Sequence, residues 1–348
     1  MKKSDIINLI RAYAEKDDYA FKTIANNIAL EFDRNGDNEI ASYISSLLSD
    51  ANSFVPQVTS SGELKFFKIL RSGYDHGLYL NDLLNHQFNG ILNALKRHGL
   101  VNKFLFFGPS GTGKTQSVFE IARITGKVVY SVNFNSIIDY KLGETAKNLE
   151  SMFDELRHIT EDSSALILFD EIDALVLDRV RSNDIREMGR VTSTFLKELD
   201  SLPKTVPIFA TTNLYQQLDE AIVRRFDSKI DFSKYSKKDC DEIALKIYSD
   251  ISNRTQGISV NGRLFEKITK LNDKTIYPGD YTNIIEHSIA FSDYQSKNNY
   301  FSLLYMNITG SDSIPQIQEL KQQGFTIREI EILTNMPRTT ISRKLTNE

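Results

Sequence analysis

Gly108-Pro109-Ser110-Gly111-Thr112-Gly113-Lys114-Thr115 follows directly on the apolar run Phe104-Leu105-Phe106-Phe107 and opens directly into a helix-compatible segment, Gln116 to Arg123. A strand that ends in a glycine-rich turn and re-emerges as a helix leaves few folds open. Glycines at 108, 111 and 113 let the backbone take positive φ values, so successive N–H groups turn inward, and the positive end of the following helix adds to the field. The eight residues read GxxxxGKT and form a phosphate cradle, in which Lys114 reaches the β- and γ-phosphates and Thr115 offers a hydroxyl to Mg²⁺. The plain alternative is a glycine-rich turn that happens to precede Lys-Thr. The complete string in a strand, loop and helix context favours nucleotide binding over it.

Composition bounds the rest. A chain of 348 residues with 41% hydrophobic and 25% charged residues is long enough for two or three folded domains. A formal charge of -4 argues against binding nucleic acid through overall charge, although a small basic face remains compatible with it. The single cysteine, Cys240, rules out an intramolecular disulfide framework and any CxxC metal site, and the five histidines have no ligand spacing. The apolar positions near the start are broken by Asp5, Asn8 and Arg11, and no run approaches the ~20 residues of a membrane span. The expectation is a cytoplasmic protein with no membrane partner.

Along the chain, residues 1–50 carry helical spacing (Ile6, Ile7, Ile10 and Tyr13; Phe21, Ile24, Ile28 and Phe32; Ile40, Tyr43, Ile44, Leu47 and Leu48) and read as a module of three short helices. Asp33, Asn35 and Asp37 alternate like a calcium loop, but Asn38 and Ile44 stand where such a loop needs Gly and Glu, so calcium is rejected. Residues 51–73 read as a linker interrupted by the apolar cluster Leu64, Phe66, Phe67, Ile69 and Leu70, which is expected to dock on the next domain. Residues 74–232 read as an α/β domain, with a helix from 82 to 97 followed by strands 104–107, 127–132, 165–169 and 207–211. Helices 114–123, 144–158 and 186–199 alternate with those strands, so the sheet is expected to be parallel and covered on both faces. Residues 233–309 read as a small helical domain with segments near 237–252, 262–271 and 280–297. Residues 310–348 form a further helical unit set off by Thr309-Gly310-Ser311-Asp312.

The run Leu166-Ile167-Leu168-Phe169-Asp170-Glu171 places two carboxylates where a buried parallel strand emerges at its C-terminal end. This is a Walker B pattern. Asp170 can hold Mg²⁺ while Glu171 orients and deprotonates the water that attacks the γ-phosphate. Acidic residues at a strand end are common in isolation, but here they follow the phosphate cradle on a strand of the same expected sheet.

Further on, Ile208-Phe209-Ala210-Thr211-Thr212-Asn213 and Leu218-Asp219-Glu220-Ala221-Ile222-Val223-Arg224-Arg225-Phe226-Asp227 closely resemble the AAA branch of the AAA+ ATPases. The resemblance covers roughly residues 74–295. It implies a P-loop NTPase core, a helical lid over 233–309, ATP as the nucleotide with Mg²⁺, and assembly with copies of itself into a hexameric ring. In the family pattern Asn213 matches the sensor 1 residue, and Arg224 and Arg225 match the arginine fingers that act on a neighbouring subunit. These two arginines are adjacent, as in the microtubule-severing relatives, and either one can be the finger. Tyr277-Pro278-Gly279-Asp280-Tyr281 is similar to the lid segment that brings a glycine, here Gly279, near the adenosine. Asp139-Tyr140-Lys141-Leu142-Gly143-Glu144-Thr145 resembles the first pore loop, with Lys141 at the expected aromatic position. Ala14-Glu15-Lys16-Asp17-Asp18 and Leu142-Gly143-Glu144-Thr145 are similar to bacterial AAA ATPases often encoded beside a subtilisin-like serine protease and implicated in phage defence.

Gly324 to Leu345 resembles a helix-turn-helix, with Ile327, Ile330, Leu333, Ile341 and Leu345 as core and Arg338, Thr339, Thr340, Arg343 and Lys344 exposed toward DNA. The expectation is thus an ATPase that remodels or threads a protein substrate or controls a partner protein. The other reading is a DNA-associated, ATP-switched regulator targeted by residues 324–345.

Overall fold

The computed structural model describes residues 64–70, 77–97, 100–132, 134, 137, 144–160, 164–173, 185–293 and 296–346, together with Ile24 and Ile28. Apart from Ile24 and Ile28, the three helices expected within residues 1–50 fall outside this set, as do the pore-loop residues 139–143. The chain divides into two compact units, Met1–Glu63 and Leu64–Glu348, and all that follows concerns the second.

Six strands form one sheet: β1 (Phe67–Leu70), β2 (Lys103–Phe107), β3 (Val128–Val132), β4 (Ala165–Phe169), β5 (Ile208–Thr212) and β6 (Ser228–Asp231), in the order β1-β3-β4-β5-β2-β6. Five run parallel, and β1 closes one edge antiparallel to β3. The sheet is therefore mixed, and its antiparallel edge lies in the stretch read as a linker. Phe66 and Phe67 are buried there, and the backbone N–H groups of Lys65 and Phe66 donate to Glu155 Oε2. The expected docking cluster is thus a strand.

Side-chain alternation sorts the strands between two cores. Phe104, Phe106, Leu166, Leu168 and Phe209 face one core, under α1 (Asp82–Lys96) and α2 (Lys114–Thr125). Leu105, Ile167, Phe169, Ile208 and Ala210 face the other, under α3 (Glu144–Ile159) and α4 (Ile185–Ser201). A short helix, α5 (Glu220–Val223), capped by the Asp219 side chain, leads into β6.

The first of these cores does not stop at the sheet. It runs on through α6 (Lys237–Arg254), α7 (Gly262–Lys270), α8 (Pro278–Ala290) and α9 (Tyr300–Thr309) into α10 (Ile317–Gln322), α11 (Ile327–Thr334) and α12 (Arg338–Thr346). The helix expected over 280–297 ends earlier, at the C-cap Phe291. The chain becomes helical again at Tyr300, where Tyr300, Phe301, Leu304, Tyr305 and Ile308 supply a second buried stripe. Gly310, with φ +72, stops α9 as the tail begins.

In the tail, Ile330, Leu333 and Ile341 are buried and Ile327 and Leu345 partly so, as the helix-turn-helix pattern requires. Arg338, Thr339, Arg343 and Lys344 are exposed and Thr340 is half-buried. Arg338 is committed to Glu331 at 2.6 Å. Polar ties join tail to lid: Lys267 Nζ donates to Glu329 Oε2 at 2.6 Å and to Gly324 O, and Ser302 Oγ donates to Leu333 O.

Since Ile341 is fully buried in this shared core, Ile341→Ala is expected to destabilise the lid and tail together by about 2–5 kcal/mol. Urea unfolding monitored by tyrosine fluorescence and by far-ultraviolet circular dichroism should show coincident shifts. A separate early transition confined to the tail would contradict a shared core.

Candidate functional site

The cradle residues sit where β2 gives way to α2. Gly108, Gly111 and Gly113 take φ values of +143°, +74° and +94°, as the sequence required. Gly108 also lies against the backbone just past β6, where a Cβ would come within 2.8 Å of the Phe232 carbonyl carbon and the Ser233 nitrogen. Thr112 Oγ1 closes the turn by donating to Pro109 O at 2.9 Å. Gly113 caps α2, and having no side chain it supplies no capping acceptor of its own to the first turn.

Lys114 is buried, and its three ammonium protons have three acceptors: Gly108 O at 2.8 Å, Pro109 O at 2.7 Å and Asn213 Oδ1 at 2.7 Å. Burial pulls its pKa down to about 8, against the opposing pull of Asp170, Asp173 and Glu171. Asp173 is a participant that motif reading missed. It lies on the turn after β4, is itself buried, and adds negative charge facing the lysine. Its spacing from Asp170 was available in the sequence, but nothing there indicated its direction.

Asp170 and Glu171 emerge from β4 beside the cradle. Thr115 Oγ1 donates to Asp170 Oδ1 at 2.8 Å, and Thr211 Oγ1 donates to the same oxygen at 2.6 Å. Glu171 has φ +53°, unusual for a residue with a side chain, and its N–H donates to Thr211 Oγ1 at 2.9 Å. A cleft of about 360 Å³ is lined by Ser110 to Gln116, Glu171, Thr211 and Asn213 on one side and by Leu78, Tyr79, Ile247 and Pro278 to Asp280 on the other. Gly279 N–H donates to Gly111 O at 2.7 Å, so the lid meets the cradle directly. A larger groove of about 770 Å³ between lid and tail has neither a glycine loop nor paired carboxylates.

Geometry therefore brings together Gly108 to Thr115, Asp170, Glu171, Asn213 and Gly279. It leaves Arg224 and Arg225 outside the cleft lining, each on an acidic neighbour: Arg224 on Glu220 at 2.8 Å and Arg225 on Asp200 at 2.9 Å.

Residues 104–234 match the family model described as "ATPase family associated with various cellular activities (AAA)". Over those residues the chain is similar to the AAA family of ATPases. Over 144 residues the chain is 35% identical to an "Uncharacterized AAA family ATPase y4kL" of Sinorhizobium fredii, a segment that covers 41% of this chain and 42% of that protein. It is 31% identical over 130 residues to "Protein SUPPRESSOR OF K(+) TRANSPORT GROWTH DEFECT 1" of Arabidopsis thaliana, covering 36% of this chain and 29% of the relative. The chain thus spans less than half the length of these relatives. Among solved structures, the FIGL-1 AAA domain in complex with ADP superposes with a TM-score of 0.53 at 18% identity, covering 74% of this chain and 91% of that one. At that identity the likeness is one of fold.

Mg²⁺ can be tested against the donors present. One hydroxyl and one carboxylate, both hard oxygen donors, meet at Thr115 and Asp170. Among the described residues no group of three or more His, Cys, Asp or Glu could cage a metal. That set fits Mg²⁺, which keeps waters and takes substrate phosphate oxygens rather than an all-protein cage. Also among the described residues, no helix is long and apolar enough to cross a membrane.

With its pKa brought down to about 8, the charge of Lys114 is sensitive to pH. Its folded pKa of about 8 lies below the ordinary value of 10.5, so the burial penalty is present below the folded value and is relieved as pH rises toward the ordinary one. A bound polyphosphate favours the ammonium. Nucleoside triphosphate affinity is therefore expected to weaken as pH rises through about 8, with proton uptake on binding above it. Calorimetry in buffers of different ionisation enthalpy reads that uptake directly, and a pH-independent affinity with no uptake would refute it.

Proposed function

We propose that the protein hydrolyses ATP with Mg²⁺ and uses the cycle, in an assembly of copies of itself, to remodel or control a protein partner. The observation that carries this reading is the convergence of Lys114, Asn213 and the Asp170–Glu171 pair, drawn from three strand ends, on one cleft. Lys114 holds the phosphates of the substrate, and the backbone N–H groups of Ser110 to Thr115 surround those oxygens, Pro109 having none to give and that of Gly108 donating to Thr212 O. Thr115 and Asp170 would hold Mg²⁺, which supplies charge neutralisation between the phosphates when bound. Glu171 takes the proton of the attacking water and Asn213 helps orient it. Gly279 lets the lid close on the nucleotide without a side chain intervening.

Of the two arginines, Arg224 is the better finger. It is 68% exposed and among the described residues pairs only along its own short helix, whereas Arg225 is 38% exposed and sets its Nε on both oxygens of Asp200. Arg225 then serves as a strut for the segment that presents Arg224. The protein partner matches the working of AAA relatives, and a subtilisin-like protease remains one identity for it. Support for duplex DNA as the target is thinner, because Arg338 is occupied by Glu331 and the exposed basic face reduces to Arg343 and Lys344.

Glu171→Gln is expected to keep Mg-ATP and lose turnover, since the amide keeps the shape without the base, whereas Lys114→Ala is expected to lose binding. Equilibrium binding of labelled ATP and phosphate release separate the two. Normal hydrolysis by Glu171→Gln would remove the catalytic assignment.

Activity per subunit is expected to rise with protein concentration. Arg224→Ala should reduce turnover by about 10³- to 10⁵-fold, with Arg225→Ala milder. Mixing Arg224→Ala with Lys114→Ala subunits should recover part of the activity, as intact fingers meet intact cradles. No recovery in assemblies shown to be mixed would exclude action between subunits.

A further inference from the structure

We propose that Thr211 is a positioning residue for ATP hydrolysis, and that its single hydroxyl sets the geometry of both Asp170 and Glu171. The proposal rests on the reading of Glu171 as the base and Asp170 as a magnesium ligand. Thr211 is 1% exposed. The last pair of the β4–β5 ladder is Phe169 with Ala210, so the next step along both strands sets Thr211 beside Asp170. A hydroxyl there has one proton to give and lone pairs to accept with, and both capacities are used. The proton goes to Asp170 Oδ1 at 2.6 Å, and the Glu171 N–H is accepted at 2.9 Å. The carbonyl of the same residue accepts the N–H of Ile172 at 3.0 Å. Three consecutive residues, 170 to 172, are thus fixed by one residue on the neighbouring strand.

Two consequences bear on chemistry. Asp170 Oδ1 takes hydroxyl protons from Thr211 and Thr115 together, which fixes the carboxylate against the cradle helix. Glu171 is held at φ +53°, where a residue with a side chain stays only if its surroundings require it. Without the Thr211 oxygen, the part-buried Glu171 N–H loses its acceptor and the turn relaxes toward ordinary φ, swinging the Glu171 carboxylate from its direction into the cleft. The next residue is not placed to substitute, because consecutive strand residues point to opposite faces and Thr212 Oγ1 accepts the Leu214 N–H at 3.0 Å.

The test uses the full chain with Thr211→Val, which keeps the shape and removes the hydroxyl, and Thr211→Ser, which keeps the hydroxyl. Thr211→Ala replaces the valine variant if that one does not fold. For Thr211→Val, kcat is expected to fall about 10- to 100-fold. KM and the affinity for labelled ATP without magnesium should stay within about twofold, and Thr211→Ser should return kcat to within about threefold of wild type. Wild-type kcat in Thr211→Val overturns the proposal, as does loss of metal-free ATP affinity in step with kcat, or failure of serine to restore turnover. Glu171→Gln run alongside separates the two readings: if it hydrolyses ATP normally, the assignment of the base falls and this proposal with it. If it is inactive while Thr211→Val is normal, only the role of Thr211 is lost.

Discussion

Two glycines in van der Waals contact set the architecture of the site. Gly279 sends its N–H to Gly111 O at 2.7 Å, and a Cβ on Gly279 would lie 2.8 Å from Gly111 Cα. No side chain fits between cradle and lid at that point, so the first turn of α8 lies directly on the phosphate loop. Tyr235 adds a second tie through its hydroxyl to Thr112 O, and Asn81 a third, capping α1 while donating to Lys234 O. The cleft is the space left between two layers pinned at their closest approach.

Within that space the electrostatics oppose one another. Three carboxylates, those of Asp170, Glu171 and Asp173, face one lysine whose charge is weakened by its own burial. Lys114 spends its protons on two cradle carbonyls and Asn213 Oδ1. Phosphate oxygens would replace neutral acceptors with anionic ones, which makes the protonated lysine more favourable. The substrate phosphates would thus hold Lys114 in its charged form.

Local chemistry was the most legible part of the sequence. The positive φ values of Gly108, Gly111 and Gly113 follow from a motif whose spacing is short, and Leu166 to Phe169 read as a buried strand because every side chain in the run is apolar. Contacts across long separations were not readable in the same way. The partnership of Lys114 with Asn213 spans 99 residues, and the attachment of Arg225 to Asp200 depends on how α4 and α5 come together. β1 escaped notice because a four-residue edge strand buries one side chain fully and leaves Ile69 exposed, so its alternation resembles that of a loop. The break between α8 and α9 escaped for a different reason. Residues 292–299 contain neither Gly nor Pro, and a polar stretch without breakers is compatible with a continuing helix. The role of Thr211 could have been found from register alone, had the β4–β5 pairing been known.

The apolar core that begins under β2 and ends at Ile341 has a mechanical consequence. Close-packed interiors compress little and transmit displacement. A load applied to α12 therefore meets no soft joint in the shared core before it reaches α8, and α8 begins at the glycine contact with the cradle. Tail and cradle are thus two ends of one packed body, joined through the lid and through the bond from Gly279 to Gly111.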